Sequence, residues 1–250
     1  MTRIILYGCN GRMGRMITDI LKDDKEAGIV AGIDKFGEPS GNFPVFQSLA
    51  ECDVPADVLI DFSSPAALSD ILENAKERKL ALVLCSTGYS DEETQRINKA
   101  TEEFAVLRSA NMSLGVNLLL KLVNEAAKVL LTQGYDPEIV ELHHNKKLDA
   151  PSGTALAFAD AINDAVDYQY ANRYERHSAK EKRPVPEIGI SSVRGGTIPG
   201  EHEILFCGPD EVIEFRHVAY SRALFGKGAV TAAKFLAGKE PGMYSMADVI

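Results

Sequence analysis

The sequence has no tryptophan, and only four cysteines and five histidines among its 250 residues. Cys9, Cys52, Cys85 and Cys207 stand far apart, a pattern that fits neither a disulfide framework nor paired metal ligands. Reduced thiols in a cytoplasm, and no metal, are therefore expected. Basic residues are also in deficit, 27 Lys and Arg against 36 Asp and Glu, for a formal charge of -9. Such a balance argues against nucleic acid and against an anionic membrane surface as partners. No apolar run reaches the roughly 18 residues of a membrane span. The opening M-T-R-I-I-L-Y lacks the long apolar core of a secretory signal. Repeats and low-complexity segments are absent too. What remains is an ordinary globular composition, 45% hydrophobic, long enough for one large domain or two modest ones.

Against that sparse background, residues 141–155 stand out: E-L-H-H-N-K-K-L-D-A-P-S-G-T-A. Two of the five histidines, His143 and His144, are adjacent, and Lys146 and Lys147 follow. Alternating apolar residues predict a strand over 138–144 that runs into a loop. On a strand the two imidazoles point to opposite faces. Pro151 ends regular structure, and Ser152 is placed to cap a helix opening at Gly153 and Thr154. A helix start offers unpaired N–H groups to an anion. Imidazoles, an ammonium and a helix start on one loop describe a receptor for a small dicarboxylate, with proton donors beside it. Any one of these residues alone is more often a satisfied core or surface group; their density is the signal.

The N-terminal segment carries the second signal. An apolar strand over 3–7 runs into G-C-N-G-R-M-G, with Gly8, Gly11 and Gly14, and Ile17, Ile20 and Leu21 then recur at helical spacing. Strand, glycine turn and helix form the context of dinucleotide binding. Gly8 permits the turn, Gly11 lets backbone approach a pyrophosphate, and Gly14 lets helix and strand pack closely. The next strand, 29–33, ends at Asp34, about 20 residues on, where a carboxylate takes ribose hydroxyls. Lys35 beside it is a cation where a 2′-phosphate would sit, so NADH and NADPH are both admitted. Strands over 53–62, 81–85 and 105–108 alternate with helices over 63–78 and 90–100, the latter opened by a Ser90/Glu93 capping box. This alternation predicts a doubly wound parallel sheet of Rossmann type. Its ligand crevice lies at the loops after the strands, at Cys85, Ser86, Thr87 and Gly88 and at Ser109, Ala110, Asn111 and Met112.

The alternation ends at an apolar helix over 114–131. Beyond the histidine strand come a helix over 154–166 and a polar excursion over 167–186. Strands over 187–194, 201–207 and 211–219 follow, joined by Gly195-Gly196 and Pro209-Asp210 turns. This predicts a second, α+β domain with a mixed, largely antiparallel sheet, whose open face an oligomer would cover. A helix over 222–236 stops at Gly238, and the apolar tail 243–250 is expected to dock.

The glycine turn at 8–14, the block at 141–155 and E-H-E at 201–203 after G-G-T-I-P-G together resemble the 4-hydroxy-tetrahydrodipicolinate (dihydrodipicolinate) reductase family over essentially the whole chain. The resemblance implies an NADH- or NADPH-dependent oxidoreductase of lysine and diaminopimelate biosynthesis. It implies that His143 is the catalytic acid/base and Lys147 a proton donor, and that His144, Gly153 and Thr154 hold substrate. Gly8, Cys9, Asn10, Gly11, Arg12, Met13, Asp34 and Lys35 then bind the dinucleotide. The loop usually read G-T-T-G in that family is here Cys85-Ser86-Thr87-Gly88, and its A-x-N-F-S element carries Met112 in place of the aromatic. A homotetramer built through the C-terminal sheet is implied, with the last helices returning to the nucleotide domain. The expected division is 1–112 with 222–250 for dinucleotide, and 113–221 for substrate and oligomerisation. Two other readings stay open at this point: a dinucleotide sensor without catalysis, and a dehydrogenase of another amino-acid-derived substrate.

Overall fold

The computed structural model describes residues 1–36, 41–184 and 186–250. The chain divides into two compact units, Met1–Leu114 with Ala223–Ile250, and Gly115–Arg222. In chain order the first unit contains β1 (Thr2–Tyr7), α1 (Arg12–Leu21), β2 (Ala27–Ile33), β3 (Val45–Phe46), β4 (Val58–Asp61), α2 (Leu68–Arg78), β5 (Ala81–Leu84), α3 (Asp91–Ala100) and β6 (Ala105–Arg108). The helix α4 (Leu114–Leu130) leads into the second unit, with β7 (Asp136–His143), α5 (Gly153–Asp164), β8 (Ala171–Arg173), β9 (Glu187–Arg194), β10 (Glu201–Cys207) and β11 (Val212–Val218). Then α6 (Ala223–Leu236) and β12 (Gly242–Tyr244) return to the first unit.

The first sheet is parallel throughout, in the order β12-β6-β5-β4-β1-β2-β3. It is a doubly wound sheet because its strands are apolar on both faces. Ile4 and Leu6 of β1 enter one core with Ile17 of α1 and Ala229 and Ala233 of α6. Ile5 and Tyr7 enter the other, with Leu68 and Ile71 of α2 and Ile97 of α3. Each buried Ile or Leu among them contributes about 1.5–3 kcal/mol relative to exposure. Strand order reverses between β1 and β4, which places the crevice rule at the loops after those two strands. The capping box at Ser90 and Glu93 is present in both directions. The tail docks: β12 adds to β6, and Met246 is fully buried.

The second sheet runs β11-β10-β7-β9-β8. Its β10–β11 and β10–β7 pairings are antiparallel and its β7–β9 and β8–β9 pairings parallel. The turn at Pro209-Asp210 joins true neighbours. The turn at Gly195-Gly196 does not, because β7 lies between β9 and β10. Ile139, Ile190, Ile204 and Phe206 of this sheet share a core with Val123 of α4 and Phe158 of α5. The short β3 and β8 were not visible as strands in the pattern. In the expected polar excursion, Val185 lies outside the described residues.

Candidate active site

In the first unit, β1 delivers the chain into a turn that only glycine can make. Gly8 has φ +80°, and a Cβ there would stand 2.8 Å from the Phe62 carbonyl oxygen after β4. At Gly14 a Cβ would fall 2.3 Å from the Gly8 oxygen and 2.4 Å from the Cys9 oxygen. So α1 lies against the turn with no room for a side chain. Gly11 occupies the N-cap and supplies no side-chain cap, and no acidic residue stands in the first turn of α1. The helix start is thus open to an anion. The Asp34 carboxylate accepts from Asn10 N at 2.9 Å and Phe36 N at 3.0 Å, joining the loops after β1 and β2. Lys35 is exposed. Arg12 is also exposed and Met13 half-buried.

Two of the residues expected at the coenzyme are core residues by side chain. Cys9 is fully buried and Met112 nearly so, which leaves their backbone to face a ligand. Burial, reinforced by Asp34, pushes the Cys9 thiol up to about 11. Burial likewise raises the Cys85 thiol well above its usual range, which disfavours the thiolate at both positions. In the loop after β5, the half-buried Ser86 turns its side chain toward Asp61 and Tyr89, and Thr87 is exposed. After β6, Ser109 Oγ donates to the Asn111 carbonyl at 2.8 Å, and Asn111 Oδ1 accepts from Ser113 N at 2.9 Å. Ala110 is exposed at that turn.

One residue of this crevice was not singled out from the pattern. Asp61, fully buried at the end of β4, accepts from Ser63 Oγ at 2.5 Å, Ser63 N at 2.9 Å and Tyr89 Oη at 3.3 Å. Burial raises its pKa against those bonds. A polar residue inside the otherwise apolar run V-L-I-D-F was the available signal. The glycine cradle, the open helix start and the Asp34 carboxylate all fit a dinucleotide.

In the second unit, the period of β7 places Glu141 and His143 on the same, buried face. His144 lies just past the strand end and is half-buried. The His143 ring Nδ1 lies 2.5 Å from Glu141 Oε2. Glu141 is fully buried. Its oxygens also accept from Arg194 at 2.7 and 2.8 Å and from Ser152 N at 3.2 Å. Burial alone would raise the Glu141 carboxyl; the Arg194 guanidinium and its other partners outweigh this and hold it at about 2. Burial lowers the His143 pKa, and Glu141 opposes that fall.

Ser152 caps α5, accepting from Ala155 N at 3.1 Å, and lies 3.0 Å from His202 Nε2. Burial takes His202 down to about 3, so its ring is neutral. That ring stands edge-on to His143, centroids 5.2 Å apart. His143 Nε2 borders Gly200, where a Cβ would approach it to 3.1 Å. Lys147 pairs with Asp149 at 2.9 Å. Gly153 is exposed and Thr154 half-buried in the first turn of α5. The structure therefore ties His143 to the α5 start through Glu141 and Ser152. Glu141, Arg194 and His202 were given no role from sequence, although the E-x-H spacing on a strand was there to be read.

No helix among the described residues is long and apolar enough to cross a membrane, and they contain no metal-ligand cluster.

Comparison with known proteins addresses the whole chain. The family model described as dihydrodipicolinate reductase, N-terminus, matches residues 2–112, and the one described as dihydrodipicolinate reductase, C-terminus, matches 115–250. The 4-hydroxy-tetrahydrodipicolinate reductase of Caldanaerobacter subterraneus subsp. tengcongensis is 50% identical over 250 residues, covering 100% of this chain and 98% of that one. The Clostridium novyi protein of the same name is 46% identical over the same span, with the same shares covered. A solved, dipicolinate-bound dihydrodipicolinate reductase from Paenisporosarcina sp. TG-14 shares the fold at a TM-score of 0.84, with 24% identity and all of both chains covered. With both family models matched in sequence order and half the residues shared with a full-length relative, this chain belongs to the dihydrodipicolinate reductase family and is an oxidoreductase.

Proposed function

We propose that this protein reduces 4-hydroxy-tetrahydrodipicolinate, by way of dihydrodipicolinate, to tetrahydrodipicolinate in lysine and diaminopimelate biosynthesis. The observation that carries the reading is the 141–155 segment, where one buried carboxylate holds a histidine and a capped helix start together. Bound NADH or NADPH supplies the hydride. The turn at Gly8–Met13 and the start of α1 receive its pyrophosphate. Asp34 takes the ribose, Lys35 a 2′-phosphate, and the loops at 85–87 and 109–112 the nicotinamide end. Loss of water from the 4-hydroxylated ring gives the cyclic imine, and hydride addition to it leaves negative charge on the ring as an enamine. A proton from His143, assisted by Lys147, then completes the reduction. His144, Gly153 and Thr154 hold the substrate carboxylates. A sensor without catalysis would have no use for a buried Glu141–His143 pair, which weighs against that reading.

Absorbance at 340 nm, followed with freshly made cyclic substrate, tests the activity. Coenzyme oxidation that depends on this substrate is expected, and its absence would end the proposal. Running both coenzymes with Lys35→Ala adds the second arm. Loss of one charge-assisted contact, about 1.5–3 kcal/mol, should raise the KM for NADPH about tenfold or more and leave that for NADH nearly unchanged. Equal changes would remove Lys35 from the 2′-phosphate.

The same reading places the enzyme in the cytoplasm as a homotetramer associated through its second sheet. Helices cover one face of that sheet. The other carries Val193, Val212 and Val218, which remain 45%, 58% and 37% exposed, in line with a surface awaiting a second copy. Sedimentation should give four chains per particle; a monomer at assay concentration would contradict it.

A further inference from the structure

We infer that Glu141, clamped by Arg194, is the positioning residue that sets both the tautomer and the charge of His143. This rests on the reading of His143 as the proton-transfer group. The geometry is built from two strands and a helix cap. Parallel pairing sets His143 opposite Arg194 in register, with Glu141 two residues earlier on β7. Arg194 reaches both carboxylate oxygens, and it is further anchored by its bond to the Asp149 carbonyl at 2.6 Å. Ser152 N takes another position on Oε1. A planar guanidinium and a backbone N–H leave the carboxylate little freedom.

An ionised carboxylate only accepts hydrogen bonds. The ring atom facing it, Nδ1, must therefore carry the proton. That leaves Nε2 as the atom that takes up and releases the transferred proton. When Nε2 is protonated, the adjacent negative charge stabilises the imidazolium that burial otherwise disfavours. The other groups around the ring do not supply this. Arg194 and Lys147 are cationic and lower its pKa. Lys147 is itself paired with Asp149. His202 of β10 is held neutral by burial, and His217 of β11 adds only to the field at His202. Glu141 is the group that raises the affinity of His143 for a proton.

The sign follows. If the imidazolium is the acid, turnover falls as pH rises through the His143 pKa. Glu141→Gln keeps an acceptor oxygen but removes the charge, so the falling limb moves to lower pH. A shift of about one pH unit, and turnover about tenfold lower on the alkaline side, is expected, with recovery toward wild type at acid pH. A purely structural role would lower turnover equally at every pH.

Two measurements keep the outcomes apart. The first is the pH profile of Glu141→Gln beside His143→Ala. An unmoved limb in Glu141→Gln, with His143→Ala inactive, overturns this inference and leaves the function standing. A fully active His143→Ala overturns the role of His143 itself. Should Glu141→Gln fail to fold because Arg194 loses its counter-charge, the second measurement uses the unaltered enzyme. Ring 15N shifts of His143 in the full-length protein should show the neutral ring protonated at Nδ1. The opposite tautomer overturns the inference without any variant.

Discussion

His143→Ala is expected to lower kcat by about 10²–10⁴, the usual cost of removing a proton donor from a reaction. Coenzyme affinity should hardly move, because every residue assigned to the dinucleotide belongs to the unit made by Met1–Leu114 and Ala223–Ile250. The fold should also survive. His143 is about 8% exposed, and its removal leaves Glu141 still held by Arg194 and Ser152 N. The contrast matters more than the magnitude. A variant that loses turnover and coenzyme binding together has lost its structure, not its acid. Steady-state turnover beside a direct titration of NADH fluorescence separates the two. Turnover within a factor of two of wild type would mean that the ring serves only packing in this enzyme.

The second large effect is expected at the other end of the chain. In Gly14→Ala a methyl group would be asked to occupy space 2.3 Å from one carbonyl oxygen and 2.4 Å from another. Both belong to backbone, so no side-chain rotation relieves the overlap. Either α1 lifts from the turn or the turn opens, at about 1–3 kcal/mol by analogy with overpacked cores. The same displacement takes the open N–H groups away from a pyrophosphate. Lower thermal stability and weakened binding of both coenzymes should therefore appear together. Gly28→Ala is the control, since a Cβ there would meet only the flexible Met1 side chain, at 3.6 Å. A Gly14→Ala protein that binds coenzyme normally would show that the turn has slack and that close packing of α1 is not what shapes the site.

These two positions differ in how they could be recognised. Gly14 was legible as soon as strand, glycine spacing and helix were read together, because its constraint is local: it stands only six positions after Gly8. His143 stood out through its neighbours in sequence, and its environment did not. Arg194 lies 53 residues from Glu141 in the chain. The two meet only because β9 inserts parallel beside β7, while β10 takes the opposite edge. Asp61 similarly becomes a tie between loops only when β4 and β5 pair and bring Tyr89 to it.

Elements whose causes lie within a few residues can be read directly from the chain. These are the glycine turn, the capping box at Ser90, the Ser152 cap and the apolar strands of the first sheet. Their physics is dihedral preference, short-range hydrogen bonding and periodic burial, all written in adjacent side chains. Which strands became neighbours in the second sheet, and so which carboxylate the histidine received, was settled by long-range packing. That choice depends on burying one face of the sheet against α4 and α5, a sum over residues far apart in the chain. No local pattern contains that sum.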